Sequence, residues 1–173
     1  MTDLLLFTPR AARDLLGRAI VFFEGHHATF VHAALHNQGT IVEAHWPRVR
    51  MLVWPTAQPV YDGASERIPL KPVSAAREGQ VWHELVTHMV GQPYSLPTLA
   101  MDALGRVLPQ MVVRLGGSVV CSSLAARYVQ LIGDPRLPSW RDPDSVTPAD
   151  LGQLFVGRRL SLEGWQQQEV SHG

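Results

Sequence analysis

The chain has 173 residues, 46% of them apolar, with 15 Lys+Arg against 15 Asp+Glu, so it suffices for one domain with a substantial core and carries no net charge. Charged residues make up only 17%, which argues against a broad basic surface and so against nucleic acid as a partner. A single cysteine, Cys121, excludes an intramolecular disulfide framework and fits a reducing compartment.

The N-terminal stretch "MTDLLLFTPRAARDLLGRAIVFFEG" has short apolar runs that Pro9, Arg10, Arg13, Asp14 and Arg18 interrupt. No signal peptide is read there, and no apolar run reaches the roughly 18 residues of a membrane span. The expectation is one domain over 1–173, in the cytoplasm or in a virion or other assembly. Between Ala19 and Pro55, "AIVFFEG", "ATFVHAALH", "TIVEAHW" and "RVRMLVWP" read as four antiparallel strands, rich in β-branched and aromatic residues and separated by Gly, Asn or Pro. "HNQGT" is the clearest hairpin, because Asn37 and Gly39 tolerate positive φ. The Pro-rich stretches 55–72 and 134–148 read as long surface loops.

Beyond Lys71 the period changes. "SAAREGQVWHELVTHMVG" predicts a helix with Ser74 as N-cap, Val81, Leu85 and Val86 or Met89 on one face, and Gly91 as its stop. A second helix is predicted from Pro97 to Leu108, then an extended run "QMVVRLGG", then a helix "CSSLAARYVQLIG" closed by Gly133. "TPADLGQLFVG" predicts a last helix with Thr147 as N-cap, Pro148 at its first position and Asp150 at its third. Strands early and helices late predict an α+β fold, a curled antiparallel sheet or small barrel packed by helices.

Cys121 admits two readings. With Leu124, Ala125, Tyr128, Val129 and Ile132 it lies at helical spacing on one apolar face, as a core cysteine does. It also stands where a helix starts, where unpaired N–H groups and the positive dipole end favour a thiolate and can hold an oxyanion. A nucleophile there needs a base. Of the histidines at 26, 27, 32, 36, 45, 83, 88 and 172, His32 is the most suggestive, since Glu43 stands on the return strand of its hairpin. A two-residue Gln38-Gly39 turn pairs residues whose numbers sum to 77, which puts His32 opposite His45, diagonal to Glu43 and on the same face. A three-residue loop puts Glu43 on the other face. A carboxylate between "TIV" and "A" is costly unless it is paired or exposed.

Taken together, these stretches resemble the circularly permuted papain-fold cysteine hydrolases, the YiiX-like relatives of the NlpC superfamily. "VHAALHNQGTIVEA" is similar to that family's histidine hairpin, which implies His32 as base and Glu43 as the residue that orients it. "VGQPYSL" is similar to the segment that brings a tyrosine, here Tyr94, to the site. "VCSSLAARYVQLIG" resembles the nucleophile helix, implying Cys121, and "VTPADLG" resembles the closing motif. The base-bearing hairpin precedes the cysteine, the order a permuted chain would show. Arg18, Val31 and Ser123 depart from the pattern. The resemblance implies a papain-like, NlpC-type fold and cofactor-free acyl transfer: a Cys–His–Glu thiol protease or amidase with Tyr94 and the Cys121 N–H holding the oxyanion. Its substrate would be a peptide or isopeptide amide, including cell-wall peptide, or alternatively a lipid ester.

Two further readings use other features. His26, His27, His32, His36 and His45 crowd one region and suggest a metal-binding protein, although His32 and His36 lie about 13 Å apart along a strand. A catalytically idle interaction module is the other. Trp46, Trp54, Trp82 and Trp140 either line a groove or pack at the core and rim. His83, His88 and the tail "EGWQQQEVSHG" are read as solvent-facing.

Overall fold

The computed structural model describes residues 1–8, 30–94 and 120–157. Strands β1 (Thr2–Phe7), β2 (His32–Asn37), β3 (Thr40–His45), β4 (Arg48–Val53) and β5 (Glu66–Pro69) form one antiparallel sheet in the order β4-β3-β2-β1-β5. Helix α1 (Gln58–Gly63) lies between β4 and β5, and α2 (Ala75–Met89) and α3 (Cys121–Leu131) follow. A 3-10 turn (Pro143–Ser145) and a helix α4 over 148–157 complete the described chain. The fold is α+β, as the sequence predicts. The sheet is open, with β4 and β5 at its edges among the described residues, so the barrel alternative does not describe it.

The β2–β3 hairpin sets the register that matters most. Gln38 and Gly39 carry φ of +46° and +78°, the two-residue turn geometry whose twist matches that of the flanking strands. Asn37 instead ends β2, paired with Thr40. The pairs Asn37↔Thr40 to Ala34↔Glu43 follow the sum of 77. His32 lies at the start of β2.

Two strands and a helix appear where none is predicted. In β1, Leu4, Leu5 and Leu6 are each fully buried, because this inner strand is covered on both sides and shows no alternation to read. The stretch 55–72 is not a loop: it contains α1 and β5, whose Pro69 is tolerated because β5 is an edge. The predicted strand 19–25, helix 97–108 and run 110–117 lie outside the described residues, as do His26, His27 and the C-terminal tail.

The larger core lies between the sheet and α2, α3 and α4, and holds Leu4, Leu35, Val42, Leu85, Tyr128 and Phe155. Helix α3 packs across β2 and β3, the strands that carry His32 and Glu43. Its Leu124, Ala125, Tyr128 and Val129 are wholly buried, and burial contributes roughly 2 kcal/mol for each large side chain. Polar ties fix the helix's position. The Tyr128 hydroxyl hydrogen-bonds Thr2 of β1 at 2.7 Å, and just past the helix's C-terminal end Asp134 accepts from the Lys71 N–H at 2.9 Å. Gly133, at φ +67°, ends the helix as predicted.

The predicted caps are present. The Ser74 hydroxyl accepts from the Arg77 N–H at 3.3 Å, and Val81, Leu85 and Met89 form the buried face of α2. At the start of α4, Thr147 Oγ1 accepts from the Asp150 N–H while Asp150 Oδ2 accepts from the Thr147 N–H, at 3.1 and 3.0 Å. Gly152 on α4 lies so close to the Phe30 ring that an added Cβ would come within 2.3 Å of it. Helix α4 therefore packs on the residues that lead into β2.

Candidate functional site

Glu43 is 2% exposed, so its charge needs partners, and it has two. Its Oε2 lies 2.8 Å from His32 Nε2, and its Oε1 accepts from Arg50 Nε at 2.8 Å and Arg50 Nη2 at 2.5 Å. Register accounts for both contacts: Glu43 stands opposite Ala34 on one side and Arg50 on the other, with His32 diagonal to it. Burial acts to raise the Glu43 carboxyl, but the His32 hydrogen bond and charge, followed by those of Arg50, bring it down to about 2. The carboxylate can only accept, so His32 Nε2 carries a proton and Nδ1 is the nitrogen left for another partner.

The Cys121 side chain is the other neighbour that acts on the ring. Burial disfavours the charged form of the His32 ring, yet the charge and hydrogen bond of the Cys121 sulfur, and then those of Glu43, raise it to about 10. Cys121 opens α3 just as His32 opens β2, so the encounter joins the tips of two elements. Cys121 is 3% exposed in the larger core and at the same time neighbours an imidazole. Around it the helix start is well formed. Val120 is extended, and Ser123 at the third position accepts from the Val120 N–H at 3.1 Å and donates to its carbonyl at 3.0 Å. The first-turn N–H groups of a helix have no partner within it and point toward whatever lies at its tip.

Tyr94 belongs to the same neighbourhood. Its N–H donates to the Pro47 carbonyl at 2.9 Å and Pro93 bridges to Arg48, so the segment lies along the β4 edge. Burial first, and the charge of Cys121 second, push its phenol up, so it remains an O–H donor at neutral pH.

Of the residues singled out from the sequence, Cys121, His32, Glu43 and Tyr94 are brought together. His45 is not their orienting group: it is exposed and its Nδ1 bonds the Trp46 carbonyl at 2.9 Å. His36 serves the hairpin, with Nδ1 at 3.2 Å from Asp3 and Nε2 accepting from the Gly39 N–H at 3.3 Å. Among the described residues no group of three or more His, Cys, Asp or Glu side chains is placed to hold a metal ion. Trp82 packs edge-on against Tyr128, whereas Trp46, Trp54 and Trp140 are exposed. His83 and His88 face solvent. Among the described residues no helix is long and apolar enough to cross a membrane.

Arg50 is the site residue that sequence reasoning missed. The signal was present: taking Trp46-Pro47 as a two-residue connection pairs residues that sum to 93, which sets Arg50 directly across from Glu43.

No protein-family model, curated protein or solved structure matches this chain.

Proposed function

We propose that this protein is a cysteine hydrolase or acyl transferase that uses a Cys121–His32–Glu43 triad on a permuted papain-like fold, with a peptide or isopeptide amide as its substrate. The observation that carries the reading is the 2.8 Å contact by which buried Glu43 holds the His32 ring, with the Cys121 side chain acting on the same imidazole. A carboxylate that fixes the tautomer and a thiol beside the ring are the groups that nucleophilic catalysis of this kind requires.

His32 takes the proton of the Cys121 thiol, and the sulfur is then free to attack. Sulfur adds to the substrate carbonyl, and the oxyanion is received by the Cys121 N–H and the Tyr94 hydroxyl. The C–N bond then breaks as the amine takes the proton from His32, leaving a thioester on Cys121. His32 next removes a proton from water, hydroxide adds to the thioester, and the acid departs as the proton returns to the pair. An amine acceptor in place of water makes the same cycle a transfer. Arg50 and Glu43 move no proton; they hold the ring.

The test is trapping of the thioester. Incubation with an activated acyl ester such as p-nitrophenyl acetate, quenched in acid, is expected to add one acyl group, located on Cys121 by peptide mass, and none in Cys121→Ala. An unmodified Cys121, or acylation that persists in the variant, would contradict the reading and favour an interaction module. Parallel incubations with a peptide amide and a long-chain acyl ester separate amidase from lipid hydrolase.

A further inference from the structure

We infer that Phe7 is a positioning residue for the base: its ring holds the His32 imidazole from the β1 side and, through its π face, favours the imidazolium form. The inference rests on the function proposed above and adds a fourth side chain to that site. In the sheet, β2 lies between β3 and β1. Glu43 reaches the His32 ring from β3. On the other flank the β1–β2 register pairs Phe7 with His32, and directly opposed residues place their side chains on one face. The two rings meet with centroids 5.2 Å apart and planes inclined at 45°.

Phe7 is itself held in place. Its carbonyl accepts from the Val31 N–H at 2.9 Å, and the Leu6 carbonyl beside it accepts from the Ser65 N–H at 2.8 Å. On its other side the Thr8 N–H and hydroxyl meet the Ser65 hydroxyl at 3.0 and 2.8 Å. The Phe7 side chain packs against the smaller apolar cluster of Leu5, Ala34 and Ile41. The imidazole is thus confined between a fixed phenyl ring and the Glu43 carboxylate. It becomes a cation each time it takes the thiol proton. A cation within about 6 Å of an aromatic centroid is drawn to the negative π face, more strongly where water is excluded. Among the described residues the charged and titratable groups that act on the ring from the other elements are Glu43 on β3, backed by Arg50 on β4, and Cys121 at the start of α3. Phe7 is the uncharged neighbour that favours the same protonated form.

The readout is the pH at which the His32 ring titrates, followed through its nitrogen NMR signals. Replacing Phe7 by pentafluorophenylalanine keeps the shape of the side chain and withdraws electron density from its π face, a change to which packing alone is indifferent. That protein and Phe7→Leu are each expected to lose the His32 proton about 0.7 pH unit below the wild type, roughly a fivefold weaker hold on the proton. Phe7→Tyr keeps an electron-rich ring and should titrate with the wild type. An unchanged titration in the fluorinated protein, whatever Phe7→Leu does, overturns the inference while the triad stands, and so does a shift of the same size in Phe7→Tyr. A wild-type ring that titrates near its ordinary 6.5 would sink the triad and the inference together.

Discussion

His32→Ala is expected to slow alkylation of Cys121 at about pH 6 by on the order of a hundredfold. A free thiol with an ordinary pKa near 8.5 has well under one part in a hundred as thiolate at that pH, and only the thiolate attacks. The His32 ring holds its proton up to about 10: burial opposes that charge, and the sulfur and then Glu43 more than offset the burial. Through the neutral range the ring is therefore a cation beside the sulfur. Removing it takes away both the nearest positive charge and the proton acceptor. The gap in rate between the wild type and the variant should close as pH rises through about 10, where the His32 ring gives up its charge. Coincident profiles would mean that the imidazole does nothing to the sulfur.

Glu43→Gln is the second large effect, and it falls on stability as well as chemistry. The carboxylate is buried and holds Arg50 and His32 on separate oxygens. An amide keeps the shape and loses the charge, so we expect a loss of about 3 kcal/mol at neutral pH, at the low end for a broken buried pair because the Arg50 side chain is 44% exposed. The pH dependence follows from the direction of the shift. The Glu43 carboxyl lies at about 2 in the folded protein against an ordinary 4.5, so its contribution is present in full above about pH 4.5 and is lost as pH falls toward 2. The wild type should lose stability across that window and the variant should lose much less, measured by urea unfolding at several pH values. His32 works in the opposite sense. Raised from 6.5 to about 10, it contributes fully below pH 6.5, and the contribution disappears as pH rises through 10. Equal acid slopes in the wild type and Glu43→Gln would show that the carboxylate has no such role.

The site was more legible than the sheet that carries it, and the reason is physical. Hairpin chemistry is local: Gln38-Gly39 fixes the β2–β3 register, and the register fixes which side chains share a face, so the approach of His32 to Glu43 follows from eleven residues of chain. Caps are equally local, which is why Ser74 and Thr147 stand where they were expected. Strand β1 depends on neighbours far along the chain. It pairs with β2 on one side and β5 on the other, and a strand buried on both faces loses the alternation by which strands are recognised. Arg50 lay within reach of the same local logic, through the short β3–β4 connection. The meeting of Cys121 with His32 does not follow from local rules. It depends on α3 packing across β2 and β3, and in the sequence it rested on a helix-tip thiol's need for a base and on the family resemblance.

The protonation state of the His32 ring, followed by NMR of labelled imidazole nitrogens from about pH 5 to 11, tests that meeting most directly. The ring is expected to titrate at about 10 in the wild type, with Nε2 protonated throughout, and to titrate at distinctly lower pH in Cys121→Ala, where Glu43 alone sustains its charge. A ring that loses its proton near the ordinary value of 6.5 in both proteins would contradict the account.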